Sequence, residues 1–245
     1  MEYSGQVRRV QRVRHELRQR DGEVVRLEAL GSEFVRVTFA GDTLADFVSL
    51  GFDDHVKVIL ADARGDRIRR DYTPRRFDGE RCELTIDFAL HGDGFASSWA
   101  RQAAVGQRAA FGGPRGSMIV PTDYDWHLLA GDATAVPAIS RRLEELPPDA
   151  HAIVVVQLSD DTPLQDLRNA ARVETRRVAT GDDLVAAIGE LSLPAGEGYA
   201  WCAGEASMMA RLRAIMVSNG HPREAMRVAS YWKRGASDYH DETRR

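Results

Sequence analysis

Arg70, Tyr72 and Thr73, in the run Arg70-Asp71-Tyr72-Thr73-Pro74-Arg75, are residue types that together can grip a flat, charged ligand. Residues two apart on an extended segment point to one side of a strand, and the next residue turns the other way. A guanidinium so placed makes charge-assisted bonds to a pyrophosphate, a phenol lies on or edges a flat ring, and a hydroxyl bonds the ring's polar rim. A second run extends from Asp87-Phe88-Ala89-Leu90-His91 through Gly92-Asp93-Gly94 to Phe95-Ala96-Ser97-Ser98-Trp99. It reads as a strand end, a glycine turn that admits close backbone approach, and the start of a helix. Amides near Ala96 and Ser97 would then receive an anion at the helix N-terminus. His91 either bonds the ligand or is solvated, and Trp99 either touches the ligand or fills the gap behind the helix. A third run, Gly131-Asp132-Ala133-Thr134-Ala135-Val136-Pro137, follows an apolar stretch and opens a helix, with Thr134 expected at the N-cap and Pro137 in the first turn. It is not the G-x-G-x-x-G dinucleotide fingerprint.

The elements that must position these runs divide in two. From Val24 to about Arg115 the period is two: Val35, Val37 and Phe39 alternate with polar residues, as do Val56, Val58 and Leu60, and Leu84, Ile86, Phe88 and Leu90. Turn signals at Gly31, Gly41-Asp42, Arg64-Gly65-Asp66 and Asp78-Gly79 separate them, which predicts an antiparallel barrel or sandwich. After Pro121 strands and helices alternate. Strands are expected at 126–130, 152–158, 199–203 and 226–230, and helices at 135–146, 182–191 and 206–219, giving βαβ units and a parallel sheet. Ligands of such sheets lie beyond the carboxyl ends of the strands, where Gly131-Asp132 and Ala203-Gly204-Glu205 fall. Residues 1 to about 20 read as an arginine-rich helix with a partial stripe of Val7, Val10, Arg14 and Leu17. The residues from Asp238 to Arg245 are polar enough for a disordered tail.

Composition excludes several classes. A hydrophobic fraction of 43% and a charged fraction of 29% are those of a soluble globular protein, and 245 residues suffice for two modest domains. The net charge of -4 gives no general affinity for nucleic acid, so the arginines of the first 20 residues read as a solvated face. No apolar run approaches the roughly 20 residues of a bilayer span, and no secretory h-region is visible. Cys82 and Cys202 stand too far apart for a C-x-x-C pair or a zinc site, so the cytoplasm is the expected location. Among 33 basic residues only Lys57 and Lys233 are lysines.

In order along the chain, these runs resemble the FAD-binding signature of the siderophore-interacting proteins, a branch of the ferredoxin-reductase-like flavoproteins. Asp54-His55-Val56-Lys57, Ala203-Gly204-Glu205 and Tyr231-Trp232-Lys233-Arg234-Gly235 also look like that family, so the likeness covers nearly the whole chain. With the helical extension read at 1–22, the resemblance implies an antiparallel β-barrel FAD-binding domain at 23–122 and an α/β parallel-sheet NAD(P)-binding domain at 123–245. It implies FAD contacts from Arg70, Tyr72, Thr73, Asp87, Phe88, His91, Gly94, Ala96, Ser97, Trp99, Thr134 and Ala135. The nicotinamide nucleotide would meet Gly131, Asp132, Ala203, Gly204 and Glu205, and an anionic ferric siderophore would meet Lys57, with Lys233 and Arg234 on its other wall. The implied activity is reduction of ferric siderophores by NAD(P)H through the flavin, with no proton-transfer catalyst and no resident metal. A general flavin or ferric-chelate reductase, and a siderophore-binding flavoprotein fed by a ferredoxin, stay open. Ser159-Asp160-Asp161 after the second strand favours NADH slightly over NADPH unless Arg168, Arg172, Arg176 or Arg177 fold back. A monomer is expected.

Overall fold

The computed structural model describes residues 9–236 apart from 62–64, 66, 91–93, 160–161 and 163–171. His91, Asp160, Asp161, Arg168, Val7 and the C-terminal tail therefore lie outside the described residues.

Among its described residues the first half is mostly strand, with one short α-helix and a single 3-10 turn at Asp42–Leu44. Strands β2 (Gln19–Leu30), β3 (Phe34–Ala40), β4 (Val56–Ala61), β5 (Arg67–Tyr72), β6 (Arg76–Asp78), β7 (Glu83–Ala89) and β8 (Arg108–Gly112) form one antiparallel sheet in the order β5-β4-β8-β2-β3-β7-β6. Its period-two apolar residues (Val24, Val37, Phe39, Val56, Val58, Leu84, Ile86, Phe88 and Phe111 among them) share one core cluster. Tyr72 on edge strand β5 meets Phe88 on β7 at 4.5 Å between ring centroids, so the sheet is curled into a partly open barrel. Helix α1 (Phe95–Arg101) covers the core with Ala96 and Ala100.

The helix expected at 1–22 is corrected for its described part. Strand β1 (Gln11–Arg14) pairs with β9 (Gly116–Ile119), and β2 already runs from Gln19, with Arg20, Gly22 and Val24 buried in alternation. Leu17, a member of the supposed apolar stripe, is 58% exposed. Period two and strand pairing override the helical spacing.

The second half is a parallel sheet of β10 (Trp126–Gly131), β11 (His151–Gln157), β12 (Arg172–Val178), β13 (Gly198–Glu205) and β14 (Met226–Trp232), in the order β12-β11-β10-β13-β14. Helix α2 (Val136–Glu145) lies on one face, and α3 (Gly181–Gly189) and α4 (Ala206–Ser218) on the other. Alternation along the strands sends Leu129, Val154, Val156 and Trp201 to the α2 side and Leu128, Ile153, Val155 and Cys202 to the α3/α4 side. β12 was not foreseen. As an edge strand of sequence Arg172-Val-Glu-Thr-Arg-Arg-Val178 it buries too little to carry an apolar run.

The two halves are joined by polar contacts across a shared interface. Asp53, 5% exposed, faces Arg227 Nε at 2.5 Å and accepts from Trp201 Nε1 at 3.1 Å; the Arg227 N–H is not aligned on it, so that contact is an ion pair and not a hydrogen bond. Arg141 of α2 donates to Ser49 Oγ and to the Pro74 carbonyl, and Arg75 pairs with Glu144.

Candidate functional site

Strand order places the site. The sheet is wound outward in both directions from β10, to β11 on one side and to β13 on the other, so a crevice opens beyond the carboxyl ends of β10 and β13. Two glycines make it tight. A Cβ on Gly131 would stand 2.1 Å from the Ala203 carbonyl, and one on Gly204, whose φ is +152°, would stand 2.5 Å from Asp132 Oδ2.

That crevice is a groove of about 980 Å³ along the ends of all five parallel strands. Asp132 and Thr134, Gln157 and Ser159, Arg177 and Thr180, Glu205, and Trp232 and Arg234 come from the five strand ends in turn, Arg211 lies on α4, and Glu33 reaches in from the β2–β3 turn. Of the predicted nucleotide residues, Asp132 and Glu205 line the groove, whereas Gly131, Gly204 and the fully buried Ala203 pack behind it. Thr134 is on the wall, but Ala135 is fully buried beneath it.

Carboxylates organise this wall. Asp132, not Thr134, is the cap: its Oδ1 accepts from Thr134 N at 2.9 Å, and its Oδ2 accepts from Glu205 N at 2.8 Å and Trp232 Nε1 at 2.9 Å. Pro137 then sits in the first turn of α2 as expected. Glu205 caps α4, taking Ser207 N and Met208 N. Burial works to raise its carboxyl, but bonds from the Ser207 hydroxyl and the Met208, Arg234 and Ser207 amides outweigh that and hold it below the ordinary carboxylate value. Thr180 and Asp183 form a capping box at α3.

On the barrel, Arg70, Tyr72 and Thr73 are brought together with Phe88 and Trp99. Tyr72 packs on Phe88, and Phe88 meets Trp99 at 5.5 Å. Burial pushes the Tyr72 phenol up, against the opposing pull of the Arg70 charge, so it stays a neutral donor. Thr73 is 7% exposed, and its hydroxyl makes no hydrogen bond among the described residues. Gly94 is the N-cap of α1 and brings no side chain to its first turn, where Ala96 and Ser97 lie. Ser97 Oγ donates to the Ala89 carbonyl across the turn.

Other predicted contacts sit differently. Phe88 is fully buried under Tyr72 and Trp99, and Trp99 stacks on Phe39, so both serve the core between barrel and α1. The Asp87 carboxylate is held by Arg36 at 2.7 and 2.9 Å, with Arg75 at 3.7 Å, so it orients the arginine that reaches Glu144 on α2. Lys57 stands opposite Asp71 in the β4–β5 register and pairs with it at 2.9 Å, whereas Tyr72 stands opposite Val56 on the other face. Arg234 lies on the groove wall beside Glu205, and Lys233 is exposed.

Comparison with known proteins gives a consistent result. The family model described as siderophore-interacting protein matches residues 124–235, and that of the siderophore-interacting FAD-binding domain matches 23–69 and 61–118. An NADPH-dependent ferric-chelate reductase of Escherichia coli (strain K12) is 33% identical over 247 residues, covering 91% of this chain and 96% of that protein. The ferric vibriobactin reductase ViuB of Vibrio cholerae is 29% identical, covering 90% of this chain and 92% of that one. Among solved structures, a siderophore utilization protein from T. fusca superposes with a TM-score of 0.88 at 31% identity, over 94% of this chain and 98% of that chain. The siderophore-interacting protein SipS from Aeromonas hydrophila does so with 0.76 at 29% identity, over 89% and 93%.

Proposed function

The chain belongs to the siderophore-interacting protein family, and from that premise we propose that it is an FAD-dependent reductase of ferric siderophores, fed by a nicotinamide nucleotide. The observation that carries this reading is the groove across the ends of β10 to β14, with the curled sheet bearing Arg70, Tyr72 and Thr73 joined to it by buried polar contacts. Electron donor and flavin then belong to opposite sides of one interface.

The residues present fit FAD. Thr73 offers an uncommitted hydroxyl to the rim of the isoalloxazine, Tyr72 a neutral phenol to its face, and Arg70 a guanidinium to the pyrophosphate, which the first turn of α1 would also receive. Bound FAD supplies conversion of a two-electron hydride donor into single electrons suited to Fe(III). Fe(II) binds hard oxygen ligands more weakly, which releases the metal from the chelate. Asp132 and Glu205 hold the strand ends that frame the nucleotide, and Arg36, Asp87 and Arg75 clamp the barrel against α2. A division near residues 119–123 is supported by the two family models, which end at 118 and resume at 124. Among the described residues no helix is long and apolar enough to cross a membrane.

A second reading, reduction of ferric chelates in general, is favoured by one feature. Lys57 is ion-paired with Asp71, so it presents a dipole more than a bare cation to an acidic ligand. The test is the purified protein's visible spectrum, then anaerobic bleaching by NADH and NADPH, then steady-state reduction of ferric catecholate, hydroxamate and citrate. A siderophore preference of tenfold or more in kcat/KM is expected. Equal rates on citrate select the second reading, no bleaching by either nucleotide selects a protein donor such as a ferredoxin, and a colourless protein that takes up no FAD overturns both.

A further inference from the structure

The β2–β3 turn belongs to the antiparallel half, yet its Glu33 ends in the nucleotide groove. Glu33 Oε2 accepts from Ser159 N at 3.1 Å, from Ser159 Oγ at 2.6 Å and from Thr162 Oγ1. Three donors converge on one oxygen just past the carboxyl end of β11. Behind them Arg177, on β12, donates to the Ser159 carbonyl at 2.8 Å and the Thr162 carbonyl at 2.6 Å, which holds both donor residues. Among the described residues no cation pairs with Glu33, and its second oxygen makes no hydrogen bond. An amide, two hydroxyls and a guanidinium close behind are the equipment of an oxyanion pocket, and here it is filled by a carboxylate from the same chain.

The position decides what that pocket would otherwise hold. In open α/β sheets the dinucleotide crosses the switch point, and the end of the strand beside the first meets the ribose of the adenosine half, where an acidic group bonds a free diol and a basic or hydroxyl set takes a 2′-phosphate. β11 is that strand. We propose that Glu33 sets nucleotide selectivity by occupying, from the opposite half of the molecule, the pocket of Ser159 and Thr162 that a 2′-phosphate would enter. A nucleotide with a free ribose diol is accepted with Glu33 in place on the groove wall. A 2′-phosphorylated one must expel the carboxylate and meets like charge in doing so. The Glu33 carbonyl also accepts from Leu90 N at 2.7 Å, at the end of the strand that leads into the flavin turn, so the same residue ties the selective corner to the proposed flavin site.

This inference rests on the groove being the nucleotide site, and the test separates the two. Calorimetric titration of the holoprotein with 5′-ADP and with 2′,5′-ADP needs no turnover. Wild type is expected to bind 5′-ADP at least as tightly as 2′,5′-ADP. Glu33→Ala should tighten 2′,5′-ADP about tenfold or more while moving 5′-ADP less than about threefold, the gain expected when an anion exchanges a like charge for charge-assisted donors. Glu33→Gln, which keeps the shape and loses the charge, should give a smaller gain in the same direction. Adding Ser159→Ala to Glu33→Ala should cancel most of the gain, which a general loosening of the loop would not do. Hydride transfer should follow, with the NADPH to NADH ratio of kcat/KM rising in Glu33→Ala. An unchanged ratio of the two affinities in both Glu33 variants overturns the assignment, as does a wild type that already prefers 2′,5′-ADP by tenfold. Binding of neither ligand to any variant removes the groove as the nucleotide site and this role with it.

Discussion

Thr73 and Arg70 are the residues on which the flavin assignment can be broken. Because the Thr73 hydroxyl has no partner among the described residues, replacing it by alanine removes no internal hydrogen bond, and Thr73→Ala should keep its far-ultraviolet circular dichroism. Arg70→Ala should lose FAD, since a bond to a charged group is worth about 1.5 to 3 kcal/mol, enough to lower occupancy by about tenfold or more, and Thr73→Ala, which gives up a neutral bond worth about 0.5 to 1.5 kcal/mol, should lose part of it. Flavin content per protein after dialysis checks this, and full retention by both variants takes the motif out of the site. The Lys57–Asp71 pair makes a second, signed expectation. Lys57→Ala removes one positive charge from this face and should raise KM for a trianionic ferric catecholate. Asp71→Asn frees the ammonium and should lower it, both effects fading as salt screens charge beyond about 8 to 10 Å. A neutral ferric hydroxamate should feel neither change, and flavin reduction by the nucleotide should stay level. Equal losses on charged and neutral chelates would make the pair structural.

At the scale of elements, the groove depends on the bracket that Asp132 forms between the ends of β10, β13 and β14. Asp132→Ala removes the acceptor shared by the Trp232 indole N–H and the Glu205 and Thr134 amides, at about 1 to 3 kcal/mol for each donor that water does not reach. Asp132→Asn keeps an acceptor and should cost less. Gly204→Ala forces a side chain into a left-handed conformation against Asp132, at about 1 to 3 kcal/mol. Urea midpoints would rank these, and an unperturbed Asp132→Ala would deny the bracket. The strands and helices around this bracket were legible because buried parallel strands read as apolar runs: Trp126 to Gly131 and His151 to Gln157 stand within a residue or two of where the sequence puts them. The cap was misassigned because both Asp132 and Thr134 suit it, and only the distance between β10 and β13 decides. The amino-terminal strand was misread because Val10, Arg14 and Leu17 fit helical spacing while Arg12-Val13-Arg14 fits strand spacing, and pairing with β9 breaks the tie. Asp71 beside Lys57, and Glu33 beside Ser159, join residues 14 and 126 positions apart, which no local pattern encodes.

For the whole molecule, the buried Asp53–Arg227 pair means that barrel and parallel sheet share their stability. Removing one partner strands the other, so Asp53→Ala should cost about 3 to 5 kcal/mol and lower the midpoint of a single thermal transition. Two separated transitions in the wild type would show that the halves unfold independently. Acid should reveal a second weak point. His127 is fully buried on β10 beside Tyr124, with its Nδ1 unpartnered. Burial first, and the Arg142 charge second, lower its pKa to about 4, against a weak bond to the Thr122 carbonyl and the pull of Asp123. The unfolded chain takes up this proton near its ordinary pKa of about 6.5, the folded chain only near 4, so stability present above pH 6.5 drains as pH falls toward 4, by up to about 3 kcal/mol. Asp54 and Glu145, whose carboxyls burial raises, act in the opposite sense over the lower part of that range. His127→Gln should therefore flatten the loss between pH 7 and 5 relative to wild type, measured by urea unfolding. Parallel curves would clear His127.

Trp232 lies on the groove wall, held by Asp132 and partly exposed, whereas Trp126 and Trp201 are buried and Trp99 lies against the barrel core. The groove thus carries its own fluorophore. A nucleotide entering it displaces water from one indole of the four, so the ultraviolet emission of the protein should shift in wavelength on titration even with the flavin removed, and Trp232→Phe should silence that signal.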